Sequence, residues 1–402
     1  MLEISLGMLL TGFCMIAQRM SRSVITAPMV FLAIGVGVGH FGMLPVLATE
    51  TSLHLVAEIA LVILLFLDAA QIDATALRAR FVWPVRMLTI GLPLAFVFGV
   101  LAGLVLLPGW SLAAIALMAA ILTPTDAALG QPVISNPAVP ERARRALTVE
   151  SGLNDGLALP LVLMMAAFAA TAAMAPPEGW ALFAVKQVLL GPLIGVVMGC
   201  IGGVVLLWAK RTQSTSETYE GIGALALAAT AYLGAVEIGG NGFISAFAAG
   251  LGFGAIVKGE CKFVYEFTEG EGQLLAWTAF FLLGAVLVPD AVAHLGGNEL
   301  ALILISLCIL RPLAIWISLM GSDASPLTRL FFGWFGPRGL ATALFALLVL
   351  DQLPHALGED ILFLAVNTVW ISALLHGLTA APFAKWYGRA TVRHHRTKGP
   401  TS

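Results

Sequence analysis

Residues 111–131 read SLAAIALMAAILTPTDAALGQ. An apolar run from Leu112 to Leu122 meets Thr123-Pro124-Thr125-Asp126 and then resumes, with Gly130 and Pro132 behind it. Pro124 has no backbone N–H to give and disfavours helix at Thr123, so a helix does not pass through this point unbroken. Inside hydrocarbon, backbone freed in this way is tolerated only where it lines a cavity or binds something. A simple proline kink would not require an acid beside it, yet Asp126 stands two residues on. The stretch reads as a membrane span interrupted near its middle, with polar groups gathered at the interruption.

Working outward, the composition supplies the membrane. The chain has 402 residues, 59% hydrophobic and 11% charged, with mean hydropathy +0.95. Soluble chains carry about 25% charged residues, so these side chains cannot coat a soluble surface of this size. Apolar windows between polar breaks give thirteen candidate helices: 3–18, 24–42, 52–70, 87–107, 111–131, 146–173, 180–209, 218–236, 241–257, 273–289, 299–319, 330–350 and 360–384. Most approach the roughly 20 residues that a spanning helix needs. The long sixth and seventh are expected to tilt or to extend beyond the lipid. The alternation of an outer-membrane barrel is missing. The first span, centred on Leu6 to Ala17, lacks the marks of a cleaved signal peptide. The fold class is all-α, a polytopic membrane protein of about thirteen spans, with one transmembrane domain over 1–389. A short basic tail over 390–402 is expected to be disordered, and no soluble domain is expected.

The basic residues test the count. After odd-numbered spans come Arg19 and Arg22, then Arg78, Arg80 and Arg86, then Arg142, Arg144 and Arg145, then Lys210 and Arg211, Lys258 and Lys262, Arg329, and finally Lys385, Arg389, Arg393, Arg396 and Lys398. Those are 18 of the 21 Lys and Arg, whereas loops after even-numbered spans offer Glu50, Glu178, Asp290 and Asp351. The positive-inside rule then puts the N-terminus outside and the C-terminus in the cytoplasm of a cell inner (plasma) membrane. A formal net charge of -2 argues against a nucleic-acid partner. Cys14, Cys200, Cys261 and Cys308 are scattered without ligand spacing and read as small buried thiols. No cofactor is expected.

An ionised Asp or Arg at mid-bilayer costs roughly 2.5–3.5 kcal/mol on insertion scales, so each one needs a partner, a water cavity or a function. The densest cluster is Glu150-Ser151-Gly152-Leu153-Asn154-Asp155-Gly156 in span 6. Ser151 and Asp155, four apart, share a helical face and present a hydroxyl and a carboxylate, hard donors suited to a small cation. Glu150 and Asn154 share another face, where an ion pair or a hydrogen bond can form. Span 12 carries a second interruption, Gly336-Pro337-Arg338-Gly339, in the fifth helix from span 8, as Thr125-Asp126 lies in the fifth from span 1. Interrupted helices at equivalent places of two halves point to an inverted repeat. If the breaks cross, Asp126 and Arg338 neutralise opposing half-helix ends.

Other polar residues read as follows. Asp68 in span 3 is either a further oxygen donor or a hydrated group near the inner surface, and Glu58 lines a cavity. Arg311, before Pro312, pairs structurally or snorkels, and Lys186 near the outer end of span 7 snorkels. Glu237 marks a turn, Gly195, Gly199 and Gly203 allow close helix contact, and His376 is a hydrogen-bonded packing residue. His40, His54, His294, His355 and His376 show no paired ligand spacing, and an enzyme is not expected.

Taken in order, Thr125-Asp126, Glu150-Ser151-x-x-Asn154-Asp155 and Gly336-Pro337-Arg338-Gly339 make the chain resemble the monovalent cation:proton antiporter family that includes NhaP-type proteins and eukaryotic sodium/proton exchangers. The resemblance covers nearly all thirteen spans. It implies a homodimer, core-type spans 3–6 and 10–13 moving against the remaining dimer-type spans, and unwound spans 5 and 12 that cross. It also implies that Asp155 binds the ion, completed by Ser151, the Thr125 backbone and Asp68, with Glu150 paired to Arg338 and Asn154 marking the electroneutral branch. Many NhaP-type members have Glu-Gly where this chain has Asp68-Ala69, so Asp68 reaches an ion less directly. The function implied is electroneutral exchange of a cation, Na+ first and Li+ or K+ after it, for H+. The alternative is a cation-coupled symporter of a small organic anion on a similar scaffold.

Overall fold

The computed structural model describes residues 2–20, 25–41, 50–71, 82–134, 136–170, 189–260, 262–350 and 352–397. Arg22, Arg78, Arg80, Glu178, Lys186, Cys261, Asp351 and Lys398 lie outside them. All regular structure among the described residues is helical. In chain order the helices are α1 (Leu2–Met20), α2 (Ala27–His40), α3 (Glu50–Ala70), α4 (Val82–Leu106), α5 (Leu112–Ile121), α6 (Ala127–Ile134), α7 (Glu141–Ala170) and α8 (Gly191–Arg211). There follow α9 (Glu217–Glu237), α10 (Gly242–Val257), α11 (Lys262–Val286), α12 (Val288–Ala293), α13 (Gly297–Ser318), α14 (Pro326–Trp334), α15 (Leu340–Leu350) and α16 (His355–Thr397). Among the described residues six are long and apolar enough to cross a membrane unaided, with six shorter apolar helices beside them. Helix length alone therefore does not fix the thirteen crossings expected from hydropathy.

Local chemistry sets the ends. Thr26, Ser111, Asn241 and Ser325 each accept a backbone N–H from the first turn of the helix they precede, and Pro28 and Pro326 sit where a missing N–H costs nothing. α16 runs to Thr397, past the expected limit at 384 and into the tail over 390–402 expected to be disordered. Lys385, Arg389 and Ala390 favour helix there and the helix passes through Gly388, with the Gly399-Pro400 pair coming only after it.

Small residues let helices approach closely, and α8 shows this most plainly, with small residues inside and large apolar ones outside. On α8, Gly191, Gly195, Gly199 and Gly203 are buried while Leu193, Val197, Ile201, Val204 and Trp208 are exposed. A side chain on Gly195 or Gly199 would strike the carbonyl of Ser245 or Ala249, so α8 and α10 pack almost backbone to backbone. Two groups of helices emerge: α2, α3, α8, α9, α10 and α11 pack on one another, as do α4–α7 and α13–α16. α3 touches α7 and α15 between them.

The second group is built from two similar halves. α4 contains a π-turn at Met87–Gly91 followed by Leu92-Pro93, and α13 contains one at Ser306–Leu310 followed by Arg311-Pro312. Each proline removes the N–H owed to the carbonyl four residues earlier, and a π-turn absorbs the defect. These are the fourth spans of the two halves, and the fifth spans are the broken ones, α5/α6 and α14/α15. The Asp126 N–H donates to the Pro337 carbonyl at 2.8 Å, so the two breaks cross in contact.

Candidate cation site

Four half-helix ends meet where the breaks cross, and their unsatisfied backbone groups dictate the neighbours. Asp126 serves two amino ends: Oδ1 accepts from Leu129 N at 3.0 Å in α6 and Oδ2 from Leu340 N at 2.8 Å in α15. Arg338 serves the carboxyl end of α5, where Nη1 donates to the carbonyls of Thr123 at 2.7 Å and Pro124 at 2.8 Å. The pairing of opposite charges with opposite helix ends is the one the crossing anticipates. Gly339 makes it sterically possible, because a methyl there would stand inside the Asp126 carboxylate.

α7 passes beside this crossing and presents its polar cluster to it. Ser151 Oγ donates to the Thr125 carbonyl at 3.1 Å, Thr125 Oγ1 donates to Glu150 Oε2 at 3.4 Å, and Asn154 Nδ2 donates to Thr125 Oγ1. Thr125, Asp126, Glu150, Ser151 and Asn154 are all buried. Gly152 lets α3 come close: the atoms nearest to where its Cβ would stand belong to Asp68, at 3.5 and 3.7 Å. Thr125, Asp126, Glu150 and Ser151, with Pro337, also line a cavity of about 20 Å³, room for one water-sized sphere.

Asp155 lies one turn beyond Ser151 and is only partly buried. Its Oδ1 finds no hydrogen-bond partner. The charges in its electrostatic surroundings are the carboxylates of Asp126, Asp68 and Glu150 and the Arg338 guanidinium. A carboxylate so placed, next to hydroxyl and carbonyl oxygens, has the chemistry to take either a proton or a hard cation.

One expected partnership is different. Glu150, expected to pair with Arg338, forms its buried ion pair with Arg311, Arg311 Nη2 donating to Glu150 Oε1 at 3.2 Å. Arg338 is committed to the α5 carbonyls, whereas Arg311 arrives from α13 directly after the π-turn. Of its two alternatives, then, Arg311 takes structural pairing over snorkelling. Gly336 gives the guanidinium its place, since a Cβ at 336 would overlap it. Sequence reading missed both glycine contacts and the π-turns; the shared x-Pro following each π-turn was the available signal. It also understated His376, whose ring nitrogens meet Ser372 and the Trp334 carbonyl.

Known proteins resemble this chain in sequence and fold. A family model described as "Sodium/hydrogen exchanger, transmembrane" matches residues 6–386. The K(+)/H(+) antiporter NhaP2 of Shewanella oneidensis is 29% identical over 397 residues, covering 94% of this chain and 66% of its own length. The K(+)/H(+) antiporter NhaP of Alkalimonas amylolytica is 26% identical over 380 residues, covering 92% of this chain and 64% of its own. The chain thus spans somewhat under two thirds of the length of these relatives. Among solved structures, the sodium proton antiporter MjNhaP1 of Methanocaldococcus jannaschii superposes with TM-score 0.77 at 20% identity, covering 94% of this chain and 97% of that one. The likeness fixes the antiporter fold.

Proposed function

The chain belongs to the sodium/hydrogen exchanger family, and from that membership we propose that it exchanges a monovalent cation for H+ across a plasma membrane, with Asp155 holding either ion in turn. The observation carrying this reading is the Asp155 carboxylate, whose Oδ1 is unbonded in a nest of three other acids. An arriving cation takes its negative charge from Asp155 and further oxygens from Ser151 and the Thr125 carbonyl, which already touch each other at 3.1 Å. Asp68, held against Gly152, completes the set directly or through water. Asp126 is the neighbouring anion and fixes both half-helices.

Loaded with a proton or with a cation, the site carries the same charge, and an empty ionised site faces the desolvation penalty of a buried anion. Exchange is therefore one for one and electroneutral, and the helix group carrying the two breaks slides past the other in a homodimer. In our reading the cation is Na+. K+ is the ion in the names of the two bacterial relatives and sodium in that of the archaeal structure, so K+ is the decisive comparison.

The test is purified protein in liposomes with an imposed pH gradient, given Na+, K+ and Li+ in turn with and without a clamped voltage. The expected result is Na+-driven proton efflux that the clamp leaves unchanged and that Asp155→Asn abolishes. Wild-type exchange by Asp155→Asn, or cation uptake that requires an organic anion and moves no protons, would overturn the proposal.

A further inference from the structure

The break between α14 and α15 severs a particular backbone bond. In a continuous α-helix the Arg338 N–H would donate to the carbonyl four residues earlier, that of Trp334. Here the Arg338 N–H donates instead to Ser372 Oγ at 2.7 Å, and the Trp334 carbonyl receives His376 Nε2 at 3.0 Å alongside Gly336 N at 3.0 Å. Ser372 and His376 stand one turn apart on α16 and touch through Oγ and Nδ1 at 3.1 Å. All three residues are buried, Ser372 to 0%, His376 to 1% and Arg338 to 1% exposure.

The donors and acceptors set the proton order. A backbone N–H only donates, so Ser372 Oγ accepts from Arg338; in the neutral ring assigned its proton on Nε2, His376 donates to the Trp334 carbonyl and Nδ1 accepts the Ser372 hydroxyl proton. The chain runs one way, from Arg338 N–H through Ser372 Oγ–H to His376, and from Nε2–H to Trp334. Nδ1 also lies 3.0 Å from the Ser372 carbonyl, an acceptor that the neutral ring does not use. The charged groups facing the ring are the guanidiniums of Arg311 from α13 and Arg338 from the break.

The count of half-helix ends leads to the same place. Asp126 caps two amino ends and Arg338 one carboxyl end, leaving the carboxyl end of α14 to a neutral donor, His376. We propose that Ser372 and His376 are positioning residues for ion exchange: a side-chain surrogate for the severed 338-to-334 bond, which holds the two halves of the broken helix at the separation that lets Arg338 reach Thr123 and Pro124.

The transport arm of the test rests on the antiport reading; the hydrogen-exchange arm does not. His376→Ala and Ser372→Ala each raise the KM for cation about tenfold with a smaller change in kcat, as expected for one lost buried hydrogen bond, and the double variant is no worse than the worse single. His376→Gln, whose amide N–H still reaches the Trp334 carbonyl, stays within about threefold of wild type and keeps its pH profile. In nanodiscs, amides of 335–340 exchange faster in His376→Ala and Ser372→Ala but not in His376→Gln. Wild-type KM and protection in both alanine variants would overturn the proposal. So would His376→Gln matching His376→Ala, or a pH profile moved by His376→Gln, which would make the ring a titrating group rather than a neutral spacer. A failure of antiport with the exchange pattern intact would sink the functional reading alone.

Discussion

At the scale of single residues, the site is governed by what must not be there. Gly339 lies against the Asp126 carboxylate, and even a methyl group overlaps it. Gly339→Ala is expected to push Asp126 off the Leu340 amide, costing about 1–3 kcal/mol of stability through overpacking. Cation exchange should fall at least about tenfold with it. Thermal unfolding and liposome flux on one preparation check both figures. Breaking the buried Glu150–Arg311 pair from one side strands a charge, so Arg311→Met should destabilise by about 3–5 kcal/mol. Adding Glu150→Gln to Arg311→Met should recover most of that loss, and thermal unfolding of the single and double variants decides it. The polar cluster of α7 and both breaks were legible in the sequence because a charge inside an apolar run is costly unless it has a partner, a water cavity or a function. Which arginine meets Glu150 was not, since positions 150 and 311 join only through the tertiary crossing.

At the scale of elements, hydropathy and basic-residue alternation revealed the helices, but a π-turn adds one residue without changing either signal. The turns at Met87–Gly91 and Ser306–Leu310 were therefore hidden, though the Leu92-Pro93 and Arg311-Pro312 pairs behind them mark equivalent spans. They carry different cargo: Arg311 is buried and ion-paired, whereas Leu92 is half-buried. Restoring the missing N–H with Pro312→Ala should let the turn relax and swing Arg311, cutting exchange more than about tenfold, while Pro93→Ala stays within about threefold. Flux measurements on the two variants test the asymmetry, and equal effects would remove it. Outside the spans, Asp323 ties the α13–α14 loop to α7 and α4, accepting from Arg142 Nη1 and Nη2 at 2.5 and 2.9 Å and from Trp83 Nε1 at 2.7 Å. The Arg142 hydrogen bonds, helped by Trp83 and opposed by partial burial, hold the Asp323 carboxyl below the usual carboxylate range. A depressed folded-state value means that the bond's contribution is full above the unfolded carboxylate value of about 3.9 and fades only as pH falls through the folded one. Being half-exposed, the contact is worth about 1 kcal/mol or less. Asp323→Asn should therefore lower stability by a similar small amount from about pH 6 to 9 and leave the shape of the pH–transport profile unchanged there.

At the scale of the whole molecule, four carboxylates, Asp68, Asp126, Glu150 and Asp155, converge with two guanidiniums, Arg311 and Arg338. Asp126 caps two helix ends and Glu150 pairs with Arg311; in the proposed exchange Asp155, with its unbonded Oδ1, trades proton for cation, and Asp68 is the second acid to test beside it. The pH dependence of cation affinity counts how many of the two take part. If Asp155 alone exchanges its proton, lowering the pH by one unit in the acid limb raises the apparent KM for cation about tenfold, a limiting slope of about one. If Asp68 releases a second proton with it, the slope approaches about two and the cycle carries net charge, so a clamped voltage changes the rate. The short Asp68 side chain, set against α7 at Gly152 rather than on the wall of the cavity beside Thr125, favours the single proton. KM measured over three or more pH values at zero membrane potential, on wild type and Asp68→Asn, separates the two cases. A unit slope in both proteins leaves Asp155 as the sole exchanger, and a slope that falls from two to one in the variant assigns the second proton to Asp68.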